Sequence, residues 1–369
     1  MTCTELFTHI EAWAPKEIAW QNDNVGLQVG SSNSKIDNVL VSLDLTEEVI
    51  DEAVSKNCNL IITHHPLLFH PLKKLELDSD TTARLVQQLL LNKITLYSAH
   101  TNLDFTKDGV SFQLASQLGL RDVEFLESFN SNQIKLVVFV PERFAENVSE
   151  ALFNAGGGII GEYINCSFRL KGEGTFQGSA KSNPVLGRKE KFEKVEELRI
   201  EIIADKWNLG NLLEAIKKTH PYEEPAFDIY PVQNESKKFG AGAVGFLNQP
   251  MKGKDFLNLV SNKLKINNFR FVVGTAKRIH KVAVCGGSGS NLLKYARQNK
   301  ADAFITADIK YHTFHDAHKK ILLIDAGHYE TEIFVLNELQ KRILKNLSDK
   351  KIKVFKCKRT TNPIEFYNN

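Results

Sequence analysis

Leu60-Ile61-Ile62-Thr63-His64-His65-Pro66 runs an apolar stretch straight into two adjacent imidazoles, and how it is read decides the architecture. Four consecutive apolar or β-branched residues fit a short strand buried on both faces, the pattern of a parallel sheet covered by helices. Upstream, residues 38–44 (NVLVSLD) read as a second strand. Thr46 is then a candidate N-cap, with Glu47 and Glu48 suiting the positive end of the helix dipole and Ile50 and Val54 forming an apolar stripe. Downstream, a helix over 83–91 leads to a strand over 94–97 that ends near His100 and Asp104. This alternation is βαβ and implies a mostly parallel sheet.

Further along, the texture changes. Residues 134–140 read as a strand, Pro141 can open a helix that continues over 145–153, and Gly156-Gly157-Gly158 break the chain. Strand character over 166–176 and 196–203 flanks a polar stretch at 181–194, and a helix over 209–218 ends at His220-Pro221-Tyr222-Glu223. That β-α-β-β-α-β order is ferredoxin-like. From about Gly240 the βα alternation returns, with strands at 280–285, 303–306 and 321–324 and a long helix over 329–346. The predicted fold class is therefore α/β, with two βα-rich halves (1–127 and 235–369) forming one unit that a ferredoxin-like α+β domain (128–234) interrupts. The first thirteen residues form an amphipathic helix with Leu6, Ile10 and Trp13 on one face.

At 369 residues, 42% hydrophobic and 25% charged, the chain is long and apolar enough to bury cores in two or three domains. Its 47 basic residues nearly cancel 44 acidic ones, leaving +3, so no electrostatic footprint for nucleic acid or an anionic membrane exists. No apolar run approaches the roughly 18 residues of a membrane span, and the acidic N-terminus does not fit a signal peptide; the expected location is the cytoplasm. Five scattered cysteines without a CxxC pair argue against a zinc ribbon and for reduced, mostly buried thiols.

The chemistry concentrates at predicted strand ends. His64 and His65 follow one strand, Asp104 lies past another, and Asp325-Gly327-His328 follow a third, where ligands of open α/β sheets bind. His328 and Glu332, four apart at a helix start, share one face. Three imidazoles and two carboxylates exceed one closed tetrahedral zinc site. They suit two divalent ions about 3.5–4 Å apart, and zinc, iron, manganese or nickel all satisfy such a set. Each segment also has a bland reading: a strand-end cap for the histidine pair, a turn for Asp104, a helix-start pair for His328 and Glu332. His312, with His315 and His318 near Asp308, is either a solvated helix face or a proton carrier reaching the metal pocket. Gly286-Gly287-Ser288-Gly289-Ser290 lacks the Walker lysine and the full dinucleotide fingerprint, so a tight turn competes with a phosphate loop. Asp23 to Gly30 reads as a loop entering a strand, with polar residues available to line a pocket.

The runs Thr63-His64-His65-Pro66, Ala99-His100-Thr101-Asn102-Leu103-Asp104 and Asp325-Ala326-Gly327-His328-Tyr329-Glu330-Thr331-Glu332 resemble the signatures of the Nif-three-like proteins, whose bacterial members are labelled GTP cyclohydrolase I type 2 homologues. Asp23 to Gly30 and Thr306 to His312 are similar to further motifs of that family. The resemblance implies that His64, His65, Asp104, His328 and Glu332 ligate a dinuclear centre, and that the protein is a toroidal homohexamer. It implies that the middle segment is the insert of the longer members, similar to PII and CutA proteins. The expected function is metal-dependent hydrolysis of a small-molecule substrate, a nucleotide or related heterocycle, with GTP cyclohydrolase activity as the version the resemblance supplies. Phosphoester or amide hydrolysis, and a metal-binding regulatory protein whose insert senses a ligand, are the alternatives.

Overall fold

A computed structural model describes residues 1–347 and 351–367. The chain divides into two compact units, Met1–Phe129 with Lys237–Asn369, and Asn130–Ser236.

The first unit holds two sheets. One has five strands in the order Gly26–Val29, Thr95–Ser98, Leu60–Thr63, Asn38–Ser42 and Lys353–Lys356. The last four run parallel, and Gly26–Val29 pairs antiparallel at the edge. Leu60, Ile61 and Ile62 have no exposed surface, as the unbroken apolar run requires, because helices cover both faces. Cys3–Trp13 and Val335–Asn346 pack on one face through Leu6, Ile10, Leu336 and Leu339. Glu47–Ser55 and Thr81–Leu91 pack on the other through Val49, Ile50, Leu85 and Leu89. Truncating Ile61 to alanine costs about 2–5 kcal/mol by transfer and cavity terms.

The second sheet has six strands, in the order Arg270–Val272, Leu322–Asp325, Ala303–Thr306, Ile279–Val284, Glu235–Met251 and Arg121–Asn130. Its middle three are parallel. Helix Val110–Leu118 joins the two cores: Val110 is buried with the first sheet, while Phe112, Leu114 and Ala115 are buried with the second.

The other unit is a four-stranded antiparallel sheet, in the order Phe168–Gln177, Phe192–Asp205, Gln133–Pro141 and Phe227–Pro231. Helices Ala145–Asn154 and Leu209–Thr219 cover one face through Val148, Leu152, Leu212 and Ile216.

Two local differences from the expected elements bear on the site. The helix expected over 329–346 is two helices, His328–Glu332 and Val335–Asn346. Between them Leu336 N–H and Asn337 N–H bond three residues back, to Ile333 and Phe334, so a tightened turn separates the helix carrying His328 and Glu332 from the one packed on the core. The parallel strands are also flanked by antiparallel ones in both sheets, which short apolar runs do not announce. Among the described residues no helix is long and apolar enough to cross a membrane.

Candidate metal centre

Each predicted ligand stands just past the carboxyl end of a parallel strand. His64 and His65 follow Leu60–Thr63, and Asp104 ends the single turn Thr101–Asp104 after Thr95–Ser98. His328 and Glu332 bound the short helix after Leu322–Asp325. Backbone bonds set the exits of these strands. The Thr63 hydroxyl donates to the His65 carbonyl (2.9 Å) and pairs with the Ser98 hydroxyl (2.8 Å). Gly327, at φ 89°, makes the turn into helix His328–Glu332, in a backbone region that favours glycine.

The five side chains converge. His65 Nε2 lies 3.1 Å from Glu332 Oε2, His328 Nε2 3.2 Å from Glu332 Oε1, and His64 Nε2 3.5 Å from Asp104 Oδ1. Donor atoms group three at a time within 4.8 Å, as His65–His328–Glu332, His64–Asp104–Glu332 and His64–His65–His100. Glu332 belongs to two of these groups, as do His64 and His65. His312 is in none of the three; it is exposed near the start of helix Tyr311–Ala317, edge-on to Tyr311.

All four imidazoles are oriented alike. His64 Nδ1 is 2.7 Å from the Ala99 carbonyl, His65 Nδ1 2.7 Å from Asp44 Oδ1, and His328 Nδ1 2.6 Å from Asp308 Oδ2. His100 Nδ1 is 2.9 Å from both Asp23 oxygens. A carbonyl or carboxylate only accepts, so each ring donates through Nδ1 and, when neutral, presents the Nε2 lone pair. Tying the remote nitrogen to an oxygen is how proteins orient histidine ligands for a metal. Asp44 and Asp23 are fixed in turn, Asp44 by the Thr361 hydroxyl (2.6 Å) and Asp23 by Thr101 N–H and hydroxyl (3.1 and 2.5 Å).

These residues fit a cation better than they fit one another. His64 Nε2, Asp104 Oδ1 and Glu332 Oε2 are buried without a hydrogen-bond partner, since the close approaches above lack hydrogen-bond geometry. A buried polar group left in that state costs about 1–3 kcal/mol, more when charged, and a divalent ion turns each into a ligand. The donor set, imidazole nitrogen with carboxylate oxygen and no thiolate, suits the divalent first-row metals.

The electrostatics show the same demand for positive charge. Burial opposes ionisation of Asp104, the nearby Glu332 charge adds to that, and the carboxyl is pushed up to about 7. Burial also works against charge on His65, but Asp44 and Glu332 outweigh it and raise the imidazole to about 10. The close approach of the Glu332 carboxylate raises His328 to about 9, with Asp308 adding to the effect against burial. Glu332 itself is buried, yet the surrounding imidazoles hold it well below the usual carboxylate range. Without metal, protonated histidines neutralise these carboxylates.

The glycine loop makes room rather than binding phosphate. Its three glycine amides are already bonded: Gly286 to Ser111, Gly287 to Thr331 and Gly289 to Thr306. A Cβ on Gly287 would stand 2.1 Å from Glu332 Oε1 and 3.2 Å from His328 Nε2. Beside the centre opens a cavity of about 170 Å³ whose lining includes His100, Asp104, Ser111, His328 and Glu332.

Sequence reasoning gave no role at the centre to four residues of this arrangement, His100, Asp23, Asp44 and Asp308, although it placed Asp23 in a loop able to line a pocket. Asp44 and Asp308 each come two residues after a parallel strand, so the strand-end rule that found His64 reaches them too. Asp23 precedes an antiparallel edge strand, where that rule has no purchase.

Residues 1–363 match the Duf34/NIF3 (NGG1p interacting factor 3) family. A Halalkalibacterium halodurans protein named GTP cyclohydrolase 1 type 2 homolog is 40% identical over 352 residues, 95% of this chain and 93% of that one. A Bacillus subtilis protein of the same name is 39% identical over 366 residues, 98% of each chain. Among solved structures, a Bacillus cereus protein related to NIF3 superposes with a TM-score of 0.83 at 36% identity, covering 100% of this chain and 99% of that one. With the match spanning almost its whole length, the chain belongs to the Duf34/NIF3 family.

Proposed function

We propose that His64, His65, Asp104, His328 and Glu332 hold two divalent ions, and that the protein is a metal-dependent hydrolase acting on a nucleotide or related heterocycle. The observation that carries this reading is Glu332, buried and shared by two three-donor groups. His65, His328 and Glu332 would hold one ion, and His64, Asp104 and Glu332 the other. Ions bound there supply Lewis-acid polarisation of an electrophile and acidify water toward neutrality.

The chain's own residues do the rest. Asp44, Asp308 and the Ala99 carbonyl lock the ligand rings. His100, fixed at Nδ1 by Asp23, keeps Nε2 free on the cavity wall, where it can take or return a proton. His312 is the other proton carrier under consideration, and unchanged turnover in His312→Gln eliminates it. The GTP cyclohydrolase version rests on the name of the relatives. Metal-loaded protein that releases formate from GTP establishes it; an intact centre that releases none discards it. A parallel panel of phosphoesters and amides tests hydrolysis of those bonds.

We further read residues 130–236 as a ferredoxin-like inserted domain of the PII and CutA kind, with the two outer segments forming one metal-binding unit. The antiparallel strand order and the two helices on one face support this, and cooperative unfolding of residues 130–236 expressed alone tests it. A cavity of about 680 Å³ on the helix-free face of that sheet, walled by Phe139, Phe176, Glu197 and Tyr222, favours a second function, a regulatory protein whose insert senses a small ligand. That reading predicts that metal loss alters assembly or binding and not turnover. The homohexamer rests on family resemblance and the cytoplasmic location on the residue pattern of the chain, and solution mass and cell fractionation test them.

A further inference from the structure

The cavity beside the metal centre has one aromatic wall and one unanswered charge. Trp20, Phe105 and Phe129 form a continuous row, with ring centroids 5.6 Å apart for Trp20–Phe105 and 5.1 Å for Phe105–Phe129. Phe105 is buried and Trp20, at 59% exposed, stands at the mouth. The rings are inclined to one another, by 59° for Trp20–Phe105 and 68° for Phe105–Phe129, so a flat ring entering here stacks on one face and meets the edges of the others. Glu127, on strand Arg121–Asn130, lines the same space. It is partly buried, and among the described residues no hydrogen bond or ion pair reaches its carboxylate. Two acceptor oxygens side by side match two neighbouring N–H donors on one edge of a ligand.

Size and charge narrow the ligand further. About 170 Å³ is well below the roughly 300–1,000 Å³ of pockets that enclose drug-sized molecules, so the space takes a ring system and not a whole nucleotide. No lysine or arginine is in the lining, which carries three carboxylates, Asp104, Glu127 and Glu332.

We infer that Glu127 is the specificity-determining residue of this site. It selects an uncharged nitrogen heterocycle with two adjacent N–H donors, stacked on the Trp20–Phe105–Phe129 wall, while any sugar or phosphate projects outward. This deepens the hydrolase reading, on which it rests for the role of the metal; the recognition it describes needs no turnover.

The test is binding to the full-length, metal-loaded chain, followed by calorimetry, with guanosine, inosine, adenosine and GTP as probes. Guanosine offers the ring N–H and the neighbouring amine together. Inosine lacks the amine and adenosine lacks the ring N–H. The expected result is guanosine about tenfold tighter than inosine and tighter still than adenosine, since one hydrogen bond to a charged acceptor is worth about that factor. GTP differs from guanosine only by what its phosphates gain from the bound ions, and Glu127→Gln leaves that difference unchanged. Glu127→Gln, with metal content and circular dichroism unchanged, brings guanosine and inosine together, whereas Trp20→Ala weakens all probes and keeps their order. A preference for guanosine over inosine that survives Glu127→Gln, or no nucleoside binding with the centre intact, overturns the inference. Guanosine binding without hydrolysis of any probe sinks the hydrolase reading and leaves this one standing.

Discussion

Gly287→Ala perturbs the proposed centre without touching a ligand, and its effect can be worked out from the geometry. The new Cβ would sit 2.1 Å from Glu332 Oε1 and 3.1 Å from its Cδ. Ordinary van der Waals contact begins at 3.4 Å, so relief requires 3.4 − 2.1 = 1.3 Å of movement. Metal–ligand distances tolerate about 0.2 Å, so a carboxylate displaced that far no longer bridges. The substitution also places an L side chain at φ 61°, a left-handed conformation that costs about 1–2 kcal/mol. Two readouts separate these effects. Thermal unfolding of metal-free protein reports the backbone cost alone, a decrease of a few degrees for a chain of this size. Chelator competition reports the centre, where affinity falls by at least about 100-fold, the upper range for losing a supporting contact. Wild-type metal affinity together with a lowered melting temperature would refute the reasoning, because the backbone would then have moved while Glu332 served no metal.

Two further predictions concern the centre and one the second unit. Asp44→Asn and Asp308→Asn each keep an acceptor for the ring nitrogen but remove its charge, so metal affinity falls about 10–100-fold by chelator competition with the fold intact. In metal-free protein His65 and His328 titrate at about 10 and 9, so both carry protons at pH 7.5 and ligation must expel them. Calorimetric metal loading in buffers of different ionisation enthalpy then shows about two protons released, with affinity rising with pH; no release would contradict the assigned rings. His220, 7% exposed, is held below the usual histidine value because burial outweighs its hydrogen bond to the Phe139 carbonyl. The unfolded chain therefore binds the proton more readily. Stability from this residue is present above about pH 6.5 and is lost as pH falls from there toward the depressed folded value. Urea unfolding followed by Trp207 fluorescence in a Trp13→Phe, Trp20→Phe background should show that slope, and His220→Gln should flatten it.

How much of this was legible in the sequence depended on range. Segments whose burial is set locally could be read: Leu60 to Thr63 with its two imidazoles, the Thr46 cap, whose side chain accepts from Val49 N–H, and the amphipathic first helix. Pairings made at long range could not. Lys353–Lys356 closes the first sheet against Asn38–Ser42, more than 300 residues away, and nothing in KVFK names that partner. Helix Val110–Leu118 is ordinary in sequence, yet its two faces join both cores. At the centre, His64 and Glu332 were recognisable as donors by type and position. The carboxylates that orient the rings were not, because Asp23 and His100 are 77 residues apart and each alone reads as a loop residue. His312 illustrates the limit of spacing: a histidine every three residues is compatible with a solvated helix face, and that is where its exposed ring stands.

Metal content per chain, measured side by side for wild-type and Glu332→Ala protein purified without oxygen, tests the central claim most directly. The account predicts two ions in the wild type, and less than half that content in the variant because one carboxylate serves both. Full occupancy in Glu332→Ala, with the same affinity as wild type, would contradict it.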